Sequence, residues 1–209
     1  MKIIECEQGS IQWLELRLGK ITASRVKDVM VKGRKKEDVF GKTAISYMHE
    51  LVAETLTGES IFIDTIATKH GHEFEPDARA KYEIKTGFKV TEVGFGIHEK
   101  FPSVGMSPDG LVGDDGLIEI KCPFTSKNHV EYYLEKTVPD LYKHQVQFQL
   151  WVSGRAWCDF VSYDPRMPEK TQMSIKRIVP DKEMHGLFAE RCDLFCTEMA
   201  MVLERMGMI

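Results

Sequence analysis

Apolar residues along this chain recur first at helical spacing, then alternate as in strands, then return to helical spacing. Residues 12–18 read as a short helix stopped by Gly19, and Ser24 is placed to cap a second helix that reaches about Val31. Residues 32–38 hold Gly33 and four basic residues and read as a loop. Ile45, Met48, Val52 and Leu56 recur at helical intervals, which predicts a helix over 43–57 ended by Gly58. A second long helix is predicted over 70–85, with Pro76 tolerated only near its first turns or as a kink. β-Branched residues over 88–98 predict a strand with bulges at Gly94 and Gly96. A strand region over 104–112 contains the turn signal Ser107-Pro108-Asp109-Gly110. Gly113-Asp114-Asp115-Gly116 then forms a hairpin loop into a strand over 117–121. Pro139 opens a helix that runs through Gln149 to about Val152. Residues 157–163 and 172–179 read as strands, and Asp181 caps a last helix reaching about Met206. This order predicts an α/β fold with a central mixed β-sheet flanked by helices.

With 209 residues the chain can bury one full core, so a single domain over 1–209 is expected. At 43% hydrophobic and 29% charged residues it has the composition of an ordinary soluble globular protein. No apolar run is long enough to span a bilayer, and residues 1–8, with Glu5 and Glu7, lack a signal-peptide core. A cytoplasmic protein is expected. The cysteines agree: Cys6, Cys122, Cys158, Cys192 and Cys196 are odd in number and form no CxxC pair. A net charge of −4 argues against a nucleic-acid binder. The charge is uneven, however. Between Arg17 and Lys42 nine basic residues stand against three acidic ones, so an acidic protein can still present a basic surface. The same segment also reads as a solvated lysine-rich loop.

The chemically informative stretch is Ser107-Pro108-Asp109-Gly110 followed by Leu117-Ile118-Glu119-Ile120-Lys121. Strand alternation puts Glu119 and Lys121 on one face and Ile118 and Ile120 on the other. The hairpin can return Asp109 beside Glu119. Carboxylates brought together repel, and a divalent cation is the usual remedy. Mg²⁺ takes oxygen ligands, commonly one or two carboxylates with waters and substrate phosphates, and the Ile120 carbonyl offers a further oxygen. A Lys121 ammonium can hold an attacking water and offset charge on a phosphorane-like transition state. The triplet alone equally describes a surface hairpin with an acidic turn. Beyond it, Pro123 ends the strand and Thr125 or Ser126 can cap a following helix. The helix around His70 carries Glu73 and Glu75, of which Glu75 is the preferred third carboxylate. Gln145 and Gln149 share a helix face while Gln147 points elsewhere, and a buried amide must be paired by the core or by a substrate.

Six blocks now stand in order over residues 8–167. They are Arg17-Leu18-Gly19-Lys20-Ile21-Thr22-Ala23-Ser24, Gly71-His72-Glu73-Phe74-Glu75-Pro76-Asp77-Ala78-Arg79, Ser107-Pro108-Asp109-Gly110, Glu119-Ile120-Lys121-Cys122-Pro123-Phe124-Thr125-Ser126, Gln145-Val146-Gln147 with Leu150-Trp151-Val152, and Tyr163-Asp164-Pro165-Arg166-Met167. Together they resemble the bacteriophage lambda exonuclease family, viral alkaline exonucleases with a restriction-endonuclease-like nuclease core.

The resemblance implies roles. Asp109 and Glu119, with the Ile120 carbonyl, would hold Mg²⁺, Lys121 would be the catalytic lysine, and Glu75 would serve a second metal ion. Mn²⁺ could replace Mg²⁺. Arg17, Ser24, Ser107 and Gln145 would bind a 5′-phosphate, which suits the planar donor fork of arginine. The implied activity is 5′-to-3′ digestion of one strand from a double-stranded DNA end, leaving 3′ single-stranded DNA for recombination by strand annealing. A ring-shaped homotrimer and a phage-type single-strand annealing protein are the implied partners, with no membrane. The chain departs from the family at the 32–42 loop, at His72 and in a shorter tail after Pro168. Two rivals remain: an endonuclease on the same fold, and a non-catalytic DNA-end-binding recombination scaffold.

Overall fold

The computed structural model describes residues 1–35, 37–60 and 65–208. Of the predicted 32–38 loop, Lys36 lies outside the described residues.

β1 (Lys2–Ile4) leads to α1 (Ile11–Arg17), which Ser10 caps by accepting from the Trp13 N–H. β2 (Ile21–Thr22) and the short α2 (Val26–Val29) follow. Here the structure corrects the sequence reading: Ser24 does not cap α2. Arg25 holds the N-cap position without a capping hydrogen bond from its side chain, because a turn from the Arg25 N–H to the Thr22 carbonyl precedes the helix. The Ser24 hydroxyl shares a 3.4 Å hydrogen bond with Thr22 Oγ1 instead. α3 (Lys42–Thr57) ends at Gly58 in the left-handed region, as predicted. It buries Tyr47, Met48, Leu51 and Val52, so its apolar face is rotated from the expected stripe and leaves Ile45 and Leu56 exposed. α4 (Ile66–Thr86) begins earlier than predicted, capped by Thr65. Pro76 therefore lies mid-helix and withdraws a helical donor from the His72 carbonyl.

The predicted strands over 88–98 and 104–112 are each broken in two, giving β3 (Val90–Thr91), β4 (Phe95–Ile97), β5 (Val104–Met106) and β6 (Gly110–Val112). β7 (Gly116–Lys121), α5 (Ser126–Glu135), α6 (Asp140–Ser153), β8 (Trp157–Tyr163), β9 (Met173–Ile178) and α7 (Lys182–Arg205) complete the order. Two mixed sheets result rather than one: β1-β4-β5-β2 and β3-β6-β7-β8-β9. The breaks are where the chain changes sheet. At the first, Gly94 packs on Cys6, and a Cβ there would fall 2.4 Å from its Sγ. At the second, Ser107-Pro108-Asp109, proline offers no donor to continue a ladder.

β7 and β8 pair in parallel from Gly116–Trp157 to Lys121–Ser162. Alternate residues face opposite layers. Leu117 and Phe160 join a core with Leu51, Phe148, Phe188 and Phe195 from the α3, α6 and α7 side. Ile118, Ile120 and Val161 join a second core with Ala78 and Tyr82 of α4. Each buried leucine, isoleucine, valine or phenylalanine among them contributes about 1.5–3 kcal/mol. β7 is thus clamped on both faces, which fixes the register of the one acidic side chain it buries. Among the described residues no helix is long and apolar enough to cross a membrane.

Candidate active site

Glu119 interrupts the apolar run of β7 and is only 1% exposed. Its Oε1 accepts from Gln145 Nε2 at 2.6 Å and pairs with Lys121 Nζ at 2.5 Å. Its Oε2 accepts from Gln149 Nε2 at 2.6 Å. Both glutamines come from one face of α6, a turn apart, as their spacing predicts. The Lys121 ammonium also lies 5.0 Å from the centre of the Tyr142 ring. Asp109, at the β5–β6 crossing, accepts the Ile120 N–H on Oδ2 at 2.5 Å. Glu75 arrives from α4, ion-paired to Arg79 at 2.6 Å, and Arg79 also donates to the Asp109 carbonyl at 3.3 Å. These elements meet at the carboxyl end of β7, beside a cleft of about 750 Å³ lined by Glu75, Asp109, Ile120 and Lys121.

The electrostatics follow from crowding. Burial raises the Asp109 carboxyl well above its ordinary range, and the charges of Glu119 and Glu75 raise it further. Burial likewise raises Glu75, with Arg79 opposing. Burial pulls Lys121 down, but Glu119 and Asp109 outweigh it and hold the ammonium above its usual range. Three carboxylates thus crowd one lysine, a cluster that added positive charge would relieve. Carboxylate oxygens and the Ile120 carbonyl are the donors a hard divalent cation prefers. Among the described residues no three His, Cys, Asp or Glu side chains are gathered as a ready metal cluster. The Glu119 oxygens face Lys121 and the two glutamines instead. The donor chemistry nonetheless fits a divalent ion.

The expected phosphate-binding residues fall into separate groups. The Arg17 guanidinium lies over the Trp13 ring at 4.1 Å and donates to Ser107 Oγ at 3.4 Å, while Trp13 Nε1 donates to the same oxygen at 2.7 Å. Among the described residues Arg17 makes no ion pair, and burial pulls its pKa down from the ordinary value. Gln145 is joined to Glu119 rather than to Arg17. Ser24 is exposed, and among the described residues no hydrogen bond joins it to Arg17, Ser107 or Gln145. His72 lines the cleft, and both it and Glu73 are exposed. Gln147 is satisfied within the core, donating to the Val179 carbonyl at 2.9 Å and accepting from the Asp181 N–H at 2.8 Å.

Sequence reasoning passed over several supporting side chains. Trp13 and Arg79 each stand four residues from a predicted site residue on the same helix, a spacing that could have flagged them. Buried Asp164 holds Arg166 through hydrogen bonds of 2.8 and 2.9 Å. Arg166 in turn donates to the carbonyls of Phe124 and Pro123 at 3.0 and 2.9 Å. This pair ties the segment leaving β7, whose ladder Pro123 ends, to the segment leaving β8. Nothing local in the sequence signals Tyr142.

A strand-borne acid and lysine, with further acids converging from a neighbouring turn and helix, place the chain in the class of sheet-based nucleases. Comparison with known proteins narrows that class. The profile of the YqaJ-like viral recombinase domain matches residues 12–156, and the chain belongs to that family. It is similar to an alkaline exonuclease, LHK-Exo, from Laribacter hongkongensis, with a TM-score of 0.86 and 41% identity over 95% of this chain and 96% of that one. LHK-Exo in complex with dAMP matches with a TM-score of 0.85 and 41% identity, over 94% of this chain and 96% of that one. A phage related exonuclease from Haemophilus somnus 129PT shares the fold, with a TM-score of 0.73 at 18% identity over 90% and 96% of the two chains. No curated protein matches the sequence. The family read from the sequence blocks is the one found.

Proposed function

We propose that this chain is a divalent-metal deoxyribonuclease that digests one strand of duplex DNA from a 5′-phosphorylated end, in the 5′-to-3′ direction. The product is 3′ single-stranded DNA for recombination by strand annealing. The observation that carries the reading is the turn Ser107-Pro108-Asp109. Its serine accepts from Arg17 and Trp13, and its aspartate stands with Glu75 and Lys121 at the cleft. One turn thus bears both an anion-binding arginine partner and a carboxylate of the cutting centre, so holding a 5′ end and cutting beside it are coupled.

Asp109, Glu119 and the Ile120 carbonyl would hold one Mg²⁺, and Glu75 would serve a second, with Mn²⁺ able to replace either. Bound there, the ions would activate water and stabilise the attacking and leaving oxygens. Lys121, held by Glu119, orients the attacking water and offsets charge on the phosphate. Arg17, Ser24, Ser107 and Gln145 hold the terminal phosphate, Arg17 by a charge-assisted pair. Contacts confined to phosphate and sugar suit digestion without regard to sequence. The dAMP complex of LHK-Exo supports a centre that releases mononucleotides. A ring-shaped homotrimer around the duplex, a phage-type annealing protein as partner and a cytoplasmic location belong to the same reading.

Incubation with linear duplex DNA tests it. Acid-soluble nucleotide should appear with Mg²⁺ and stop on chelation. Asp109→Ala, Glu119→Gln and Lys121→Ala should each lose at least about 10²-fold in rate while circular dichroism stays unchanged. Activity retained by Asp109→Ala removes that residue from the centre.

A further inference from the structure

Of the three glutamines on α6, Gln147 is consumed by the core and Gln145 has a role in the proposed phosphate pocket. Gln149 has neither. It is fully buried, and its amide nitrogen donates to Glu119 Oε2 at 2.6 Å. Its own Oε1 is buried with no hydrogen-bond partner among the described residues. An acceptor left unpaired in a protein interior costs about 1–3 kcal/mol, so such a group calls for a reason. Glu119 supplies one. An ionised carboxylate only accepts, so the amide must present its nitrogen to Glu119, and the reversed amide would set lone pair against lone pair. The orientation that serves Glu119 is the one that leaves the Gln149 carbonyl unpaired.

The division of donors around Glu119 adds to this. Lys121 and Gln145 both act on Oε1, whereas Gln149 alone among them acts on Oε2. A carboxylate offers roughly four acceptor positions, and three are used. Both residues that could move with bound DNA, Lys121 at the cleft and Gln145 in the phosphate pocket, grip the same oxygen. The buried amide fixes the other.

We propose that Gln149 is a positioning residue of the nuclease centre, whose amide fixes the Glu119 carboxylate in the orientation from which it binds a divalent cation. The proposal rests on the reading of Glu119 as a metal carboxylate. Outer partners that orient metal ligands typically change metal affinity about 10–100-fold when removed. Gln149 does so from beneath the site and does not line the cleft.

The test is calorimetric titration of the whole protein with Mn²⁺, without DNA, for the parent chain, Glu119→Gln, Gln149→Leu and Gln149→Met. The two Gln149 variants fill the same space without a donor. Glu119→Gln should abolish the high-affinity binding step, and either folded Gln149 variant should weaken it about 10–100-fold. KM for duplex ends, measured at saturating metal, should stay within twofold of the parent, which general loosening of α6 would not allow. If Glu119→Gln loses the ion while a folded Gln149 variant binds it at parent affinity, the positioning role fails and the metal reading stands. If Glu119→Gln binds the ion unchanged, both fail. If neither Gln149 variant folds, Gln149 is a structural residue and the proposal fails.

Discussion

At the residue scale, the site is a set of acids held where folding alone would not place them. Asp109 has a raised pKa because burial, Glu119 and Glu75 all disfavour its ionised form. A group raised in the folded state stabilises the fold below its unfolded value and loses that contribution as pH rises through the folded value. Above its unfolded value and without divalent metal, ionising Asp109 therefore works against the fold. Asp109→Asn keeps an oxygen for the Ile120 N–H and removes the charge. Thermal unfolding in chelator should show a midpoint above that of the parent at pH 8, with the gain shrinking toward pH 4. A lower midpoint at pH 8 would contradict the crowding. This is the usual opposition between stability and a functional charge cluster.

At the element scale, the end of β7 is held by side chains as much as by its ladder. Pro123 ends the ladder, and Arg166, itself held by Asp164, donates to the Pro123 and Phe124 carbonyls beyond it. Burial pushes the Asp164 carboxyl up, but hydrogen bonds from Arg166 and Ser126 outweigh it and hold it down at about 2 from an ordinary 3.8. A depressed acid contributes stability above its unfolded pKa and loses it as pH falls through the folded value. Arg166→Met should therefore be less stable than the parent above about pH 4, with the difference fading between pH 4 and pH 2. The expected difference is about 1 kcal/mol, reduced from the full linkage because Arg166 is partly exposed to solvent. Urea unfolding across that range checks it, and a gap independent of pH would exclude the ion pair as its source.

The same scale shows what the sequence made legible. The α6 amides, the Glu119–Lys121 face, the α7 cap at Asp181 and the helix ends at Gly58 follow from short-range periodicity and turn chemistry, and all are where they were expected. The turn at Pro108 was legible and Gly94 read as a bulge, but that the chain changes sheet at each was not, because it still alternates locally. Ser24 was misread because its cap signal competes with a turn that ends the preceding strand. The start of α4 was misplaced because residues before His70 are weakly patterned, although Thr65 caps the helix well. The pairing of Arg17 with Ser107 links residues ninety apart, a distance no local pattern spans.

At the scale of the whole molecule, a chain of net charge −4 must hold a polyanion. The basic excess between Arg17 and Lys42 offers the means. Arg191 of α7, itself buried, donates to the carbonyls of Val29, Val31 and Val39 and lies 4.1 Å from the Phe40 ring centre. The final helix thus fixes both flanks of the 32–38 loop, so the exposed Lys32, Arg34 and Lys35 stand on a set base. Phosphate contacts of this kind weaken steeply with salt. Binding to duplex ends should follow that dependence, and neutralising Arg34 and Lys35 together should lower the salt slope by about two.

The most direct test of the account is Mg²⁺-dependent digestion of linear duplexes labelled at either end, with and without a 5′-phosphate, beside a covalently closed circle. The account predicts release from the 5′ end, favoured by the phosphate about 10–100-fold, an advantage that Arg17→Ala erases. The circle should remain intact. Cleavage of the circle, or release from the 3′ end with no regard for the phosphate, would contradict it.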